Sequence, residues 1–263
     1  MSSLTVTLIQ SNLSWEDKES NLSMFQQKIE SIKEKTEIVI LPEMFNTGFS
    51  MKPEKFAEKM DGKTVSWMKE ISRERKIILT GSLMVEEEGK YYNRLLLVLP
   101  NGDMGVYDKR HLFAYAHEND HYAAGNKKLV ASVKGWKINL QVCYDLRFPV
   151  WARQPAGELE NKYDLLINVA NWPQRRILAW KTLLRARAIE NQCFVVGVNR
   201  VGEDGKKISY NGGSTIIDPL GEIIYEKNDE EDIITYKLEK EKVIETRNHF
   251  PFWRDADFFL IPE

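Results

Sequence analysis

Short strand-like runs and longer amphipathic stretches alternate along almost the whole sequence, and this alternation constrains the fold more than any other feature. Leu4–Gln10 reads as a strand, and Trp15–Lys35 as a helix with Leu22, Phe25, Ile29 and Ile32 at helical spacing. Ile38-Val39-Ile40-Leu41 has no polar face, as in a strand covered on both sides. A helix over Val65–Arg75 and a strand over Ile77–Leu83 precede a hairpin. Its arms are Tyr91–Leu99 and Met104–Asp108, around a Pro100-Asn101-Gly102-Asp103 turn. Ile138, Leu140 and Val142 alternate in a half-buried strand. Then come a helix at Val150–Leu159, a strand at Asp164–Ala170, a helix at Arg175–Asn191 and a strand at Phe194–Val198. Ser214–Ile217 and Glu222–Glu226 bracket a turn at Asp218-Pro219-Leu220-Gly221, and Ile233–Lys237 is the last strand. Such a chain folds as α/β, in layered sheets covered by helices.

No repeat, linker or low-complexity stretch divides the 263 residues, so one domain over 1–263 is expected, with an aromatic tail from about 248 to 263. The tail residues Phe250, Phe252, Trp253, Phe258 and Phe259 show no helical or strand period. They carry enough apolar surface to require packing on their own domain or on a partner subunit. With 37 basic against 39 acidic residues and no run of like charge, nothing points to nucleic acid. Two cysteines argue against a disulfide framework and for a reducing compartment. The amino terminus enters a strand without the pattern of a signal peptide, and no apolar run approaches the ~20 residues of a membrane span. A soluble, cytoplasmic protein is expected, with no membrane partner.

Three strands end in reactive side chains: Glu43, Lys109 and Cys143. Sites in α/β proteins assemble at the carboxyl edge of the sheet. Pro149 favours a helix start just beyond Cys143, so the thiol sits in a sharp bend near a helix amino terminus, which lowers a thiol pKa and keeps the sulfur reachable. A carboxylate nearby can take the thiol proton. An ammonium and the Tyr144 backbone N–H can meet the oxyanion of a tetrahedral intermediate. Each residue also has a plainer reading: Cys143 as a buried core thiol, Glu43 as a cap after Pro42, and Lys109 with Arg110 as a solvated charge run. Spacing alone leaves the choice open. None of the four histidines (His111, His117, His121, His249) is placed to serve Cys143, so a Cys–His pair is not favoured.

The motifs Leu41-Pro42-Glu43-Met44-Phe45, Tyr107-Asp108-Lys109-Arg110-His111-Leu112-Phe113, Val142-Cys143-Tyr144-Asp145-Leu146-Arg147-Phe148-Pro149 and Ala170-Asn171-Trp172-Pro173 occur in this order. Together with the helix Leu184–Asn191 and the Asp218–Gly221 turn, they make the chain resemble the nitrilase (carbon–nitrogen hydrolase) superfamily, in its omega-amidase-like branch. The resemblance covers essentially the whole chain. It implies a four-layer αββα sandwich of two mixed β-sheets covered by helices, assembled as a homodimer. It also implies a triad in which Glu43 is the general base, Lys109 stabilises the intermediate and Cys143 is the nucleophile. A second glutamate in the loop after the lysine corresponds to Glu118. No metal or organic cofactor is implied.

His117-Glu118-Asn119-Asp120-His121 also matches H-E-x-x-H, the signature of zinc peptidases. That chemistry needs both histidines on one face of a stable helix. Asn119-Asp120 is poor helix material and Gly125 follows closely, so the segment reads as a polar loop of the active site. Cys193 opens an apolar strand and reads as buried and inert. Arg147 suits a substrate carboxylate or an acidic neighbour that holds the bend, the latter slightly favoured. Asn171, Trp172 and Phe45 follow strand ends and are candidate pocket residues, although both aromatics suit a core equally.

The expected function is an omega-amidase: hydrolysis of the terminal carboxamide of a dicarboxylic or 2-oxo dicarboxylic acid monoamide, such as 2-oxoglutaramate, through a cysteine thioester. The alternatives are an N-carbamoyl amino acid hydrolase, an aliphatic amidase or a nitrilase, and, from another class, a non-catalytic scaffold of the same fold.

Overall fold

The structure, a computed structural model, describes residues 2–154, 156–157 and 162–261. In its first half run β1 (Ser3–Gln10), α1 (Lys18–Ser31), β2 (Ile38–Ile40), α2 (Pro53–Phe56), α3 (Lys63–Arg75) and β3 (Ile78–Glu87). There follow β4 (Lys90–Val98), β5 (Met104–Asp108), α4 (Glu118–His121), β6 (Leu129–Val133) and β7 (Trp136–Val142). The second half holds α5 (Pro149–Ala152), β8 (Leu165–Val169), α6 (Ile177–Asn191), β9 (Phe194–Val198) and β10 (Val201–Glu203). It closes with β11 (Ser209–Ile217), β12 (Ile223–Asn228), β13 (Asp232–Glu239) and α7 (Lys240–His249).

Two mixed sheets form among the described residues. One has the order β13-β1-β2-β3-β4-β5, and the other β10-β11-β9-β8-β7-β6 with β12 also paired to β11. The pairs β1–β2, β2–β3, β7–β8 and β8–β9 are parallel and are joined through helices, as parallel neighbours require. Alternation along each strand decides which core it feeds. Leu4, Val6 and Leu8 of β1 pack between the sheets with Ile138, Leu140 and Val142 of β7, while Ile9 faces Phe25 and Ile29 of α1 and Met68 of α3. The all-apolar β2 divides the same way, Ile38 and Ile40 to the inter-sheet core and Val39 to the helix side. Trp180, Leu184 and Ala188 of α6 cover the second sheet. The layers are therefore helix, sheet, sheet, helix: the expected αββα sandwich.

Several boundaries differ from expectation. The first helix is shorter than Trp15–Lys35, because Asp17 caps it by accepting from the Ser20 N–H at 3.1 Å. The helix expected over Val150–Leu159 is a single turn that ends at Ala152. Arg153 is already extended (ψ 133°), and the turn stops there; Leu159 lies outside the described residues. The carboxyl-terminal region forms α7, which the sequence pattern did not reveal, then a 3₁₀ turn at Phe252–Asp255. Bonds from Gln192 Nε2 to the Phe250 carbonyl and from Trp253 Nε1 to the Arg247 carbonyl tie the tail down, while Phe258 and Leu260 face outward. Among the described residues no helix is long and apolar enough to cross a membrane.

Candidate active site

Glu43, Lys109 and Cys143 converge at one edge of the sandwich, and each arrives by a local backbone device. After β2, Met44 adopts left-handed backbone (φ 43°) and its N–H donates to Ser82 Oγ at 2.9 Å, which fixes the Glu43 loop against β3. Lys109 follows β5 directly, and its N–H donates to the Asn93 carbonyl of β4 at 3.0 Å. Cys143 also has left-handed backbone (φ 45°), uncommon for a residue with a Cβ and a form of strain that clusters at functional sites. Asp145 holds that bend. It is fully buried and accepts from the Val142 N–H (3.0 Å), the His111 N–H (2.9 Å), the His111 ring (2.8 Å) and the Tyr107 hydroxyl (2.6 Å). Trp151 Nε1 donates in turn to the Tyr107 oxygen, and the His111 ring stacks on Phe148 at 3.8 Å.

Glu43, Lys109 and Glu118 are each fully buried. Lys109 Nζ donates to Glu43 Oε1 at 2.9 Å and to both oxygens of Glu118 at 3.0 and 2.9 Å. Glu118 also accepts from the Phe113 N–H at 2.6 Å, and Glu43 Oε2 from the Asn171 N–H at 2.8 Å. Asn93 Nδ2 donates to Glu43 Oε1 (2.8 Å) and to Glu118 Oε1 (3.2 Å). Burial pulls the Lys109 ammonium down, but Glu118 and Glu43 outweigh it and hold its pKa above the ordinary lysine value. Burial pushes the Glu118 carboxyl up; Lys109 opposes this and Glu43 adds to it.

The Cys143 thiol is close enough to Glu43 to feel its carboxylate charge. Burial, reinforced by the Glu43 charge and only partly opposed by Lys109, pushes its pKa well above the ordinary cysteine value. This overturns the expectation of a lowered thiol pKa: the surrounding carboxylates and the loss of water outweigh the bend. A neutral thiol beside a carboxylate needs that carboxylate as its base, which is the Glu43 role read from the sequence.

Cys143 lines a cleft at this edge of the sandwich. Tyr144, Arg147, Asn171, Trp172, Phe49, Phe113 and Arg176 line it, while Glu43, Lys109 and Glu118 are fully buried and outside its lining. Tyr144 follows Cys143 at the start of a 3₁₀ turn (Cys143–Arg147), so its N–H belongs to the unsatisfied first donors of that turn. Asn171 clamps the Glu43 loop through Nδ2 to the Glu43 carbonyl at 2.6 Å. The Arg147 guanidinium lies 4.9 Å over Trp172 and that of Arg176 5.0 Å over Phe113. Neither has a carboxylate partner among the described residues, so the slightly favoured structural role of Arg147 gives way to a cation facing the cleft.

Phe45 is a correction. It is fully buried, packed edge-on against Phe25 at 5.6 Å and pressed on Gly81, where a Cβ would stand 2.9 Å from its ring. The left-handed turn at Met44 sends Phe45 back into the core. The aromatic of this loop that reaches the cleft is Phe49, 5.1 Å from Lys109 Nζ. H-E-x-x-H is a coincidence of spelling. His117 has φ 62° and lies outside the single turn of α4, both histidines are exposed, and the buried Glu118 is committed to Lys109. Asn93 and Asp145 escaped the sequence reading, because a polar residue inside a strand and an aspartate inside a recognised motif carry no mark of what they touch.

The carbon–nitrogen hydrolase family model matches residues 5–248. The chain is 43% identical to Omega-amidase YafV of Escherichia coli over 99% of its own length and 100% of that protein. It is 31% identical to 2-oxoglutaramate amidase of Bacillus subtilis over 95% and 96% of the two chains. The crystal structure of XC1258 from Xanthomonas campestris, described as a CN-hydrolase superfamily protein with an arsenic adduct in the active site, superposes with a TM-score of 0.96. It has 43% identity, with all of both chains covered.

Proposed function

From the premise that the chain belongs to the carbon–nitrogen hydrolase family, we propose that it is an omega-amidase whose nucleophile, base and intermediate-stabilising lysine are Cys143, Glu43 and Lys109. The observation that carries this reading is a buried cysteine beside a buried carboxylate that a buried ammonium also holds. The thiol proton passes to Glu43 as sulfur attacks the carboxamide carbon. The oxyanion meets the Tyr144 N–H and the Lys109 charge. All three Lys109 donors are engaged in the free site, so the lysine acts through its charge, or by releasing one bond of its bidentate contact with Glu118. Glu43 gives the proton to the departing nitrogen, the C–N bond breaks and ammonia leaves a thioester. Water, deprotonated by Glu43, then attacks the acyl carbon, the C–S bond breaks and the proton returns to sulfur.

Two guanidiniums that line the cleft without a carboxylate partner among the described residues support a substrate whose far end is a carboxylate, hence a dicarboxylic or 2-oxo dicarboxylic acid monoamide. Arg147 is the proposed clamp, flanked by Trp172 and Asn171. The relatives named omega-amidase and 2-oxoglutaramate amidase support the same class. The test is ammonia release from 2-oxoglutaramate and succinamate against neutral amides, N-carbamoyl amino acids and nitriles. Preference for the first group, lost in Cys143→Ala, is expected; full activity of Cys143→Ala overturns the reading. The aromatic tail supports a homodimer, with outward-facing Phe258 and Leu260 covered by the partner. A monomer mass by light scattering refutes this.

A further inference from the structure

Asn93 touches both buried carboxylates, Glu43 and Glu118, and has no part in the chemistry above. It is fully buried in β4, its carbonyl accepts from the Lys109 N–H, and its one amide nitrogen donates to Glu43 Oε1 and to Glu118 Oε1. Its Oδ1 is buried with no partner among the described residues. An orphaned buried oxygen is costly. The flipped amide would be costlier, since it would set that oxygen against two carboxylates. The Asn93 nitrogen thus bridges Glu43 Oε1 and Glu118 Oε1, the two oxygens that the Lys109 ammonium also bridges.

We propose that Asn93 is a positioning residue that blocks a Glu43–Glu118 proton-sharing pair and makes Glu43 a base through Oε2 alone. Oε1 already takes two donors, Lys109 Nζ and Asn93 Nδ2, which fill its in-plane lone pairs. Oε2 takes one, the Asn171 N–H, and keeps one site free. The proton therefore moves from Cys143 Sγ to Oε2, from Oε2 to the leaving nitrogen, and later from water to Oε2 and back to sulfur. Without Asn93, a proton on Oε1 would be trapped between two like charges, away from the substrate. The titratable groups facing Glu43 are Lys109 at the end of β5, Glu118 of α4, Cys143 after β7, Tyr122 beyond α4 and Tyr210 of β11.

The inference rests on Glu43 being the base, and the experiment separates the two claims. Asn93→Leu keeps the volume and removes the donor. Its kcat should fall about 10- to 100-fold, a part of what general acid–base catalysis supplies, with KM little changed. The acid limb of its kcat/KM profile should move up by about one pH unit, because the ionised carboxylates lose a hydrogen bond and can share a proton. Placing Glu118→Gln beside Asn93→Leu should shrink the shift measured against Glu118→Gln alone, since the sharing part of it needs two carboxyls. Limb position does not depend on how much enzyme is folded, and Asn93→Ser, which retains one donor, should show an intermediate shift. An unmoved limb in both Asn93 variants, or an equal shift with and without Glu118→Gln, overturns the proposal. Full activity of Glu43→Gln would instead overturn the assignment of the base.

Discussion

Replacing Asp145 tests how the nucleophile bend is held. Asp145→Ala removes the acceptor from four donors. The His111 ring is partly exposed and can turn to water, so its loss is small. The Val142 N–H and the Tyr107 hydroxyl are buried and cannot. Leaving each unsatisfied costs about 1–3 kcal/mol, or about 2–6 kcal/mol together. At about 2–4 °C per kcal/mol for a chain of this size, Tm should fall by roughly 5–20 °C. Function should fall as well, because the left-handed Cys143 backbone is tied to Asp145 through the adjoining Val142 N–H. A displacement of order 1 Å costs about 100-fold in rate, so kcat/KM should drop about 10- to 100-fold below the melting range. Asp145→Asn keeps the volume but must point its NH₂ at one pair of donors, and should show roughly half the loss in Tm. Differential scanning calorimetry and initial rates with 2-oxoglutaramate give both readouts. An Asp145→Ala protein with Tm within about 2 °C of the parent and an unchanged rate would refute the reasoning that buried donors and the bend depend on this carboxylate.

Glu118→Gln should lower both kcat and Tm at pH 7, because it leaves the fully buried Lys109 ammonium with one carboxylate instead of two; an unchanged Tm would contradict this. Arg147→Gln should weaken kcat/KM for a carboxylate-bearing amide by about 10- to 100-fold, the worth of a charge-assisted hydrogen bond, and leave a neutral amide such as butyramide nearly unaffected. Equal losses on both substrates would remove the clamp. Because the Cys143 thiol titrates above the ordinary cysteine value, its alkylation by a neutral maleimide should be slow at pH 7 and rise about tenfold per pH unit through pH 9. A rate already level at neutral pH would show a preformed thiolate.

Much of the sandwich was legible in the chain because local periodicity reports local burial. β5 and β9 fell where alternation and apolar runs put them, and β2 was recognisable from its lack of a polar face. The failures are equally physical. α7 hid because its buried positions include Thr246 and Arg247 beside Val243, so no apolar stripe announces it. The helix expected from Val150 stopped after one turn, where Arg153 becomes extended.

For the site, the sequence by itself determined which chemical groups exist and that three of them terminate strands; a base, an ammonium and a thiol were readable there. Only the tertiary structure decided what those groups are. Burial raised the thiol pKa that the bend alone was expected to lower. The left-handed turn at Met44 put Phe45 into the core and brought Phe49 to the cleft. Asn93 and Asp145 acquired their partners from strands and loops remote in sequence. A side chain's type is local, but its proton affinity and its hydrogen bonds depend on water excluded and charges gathered by distant segments, which no local pattern records.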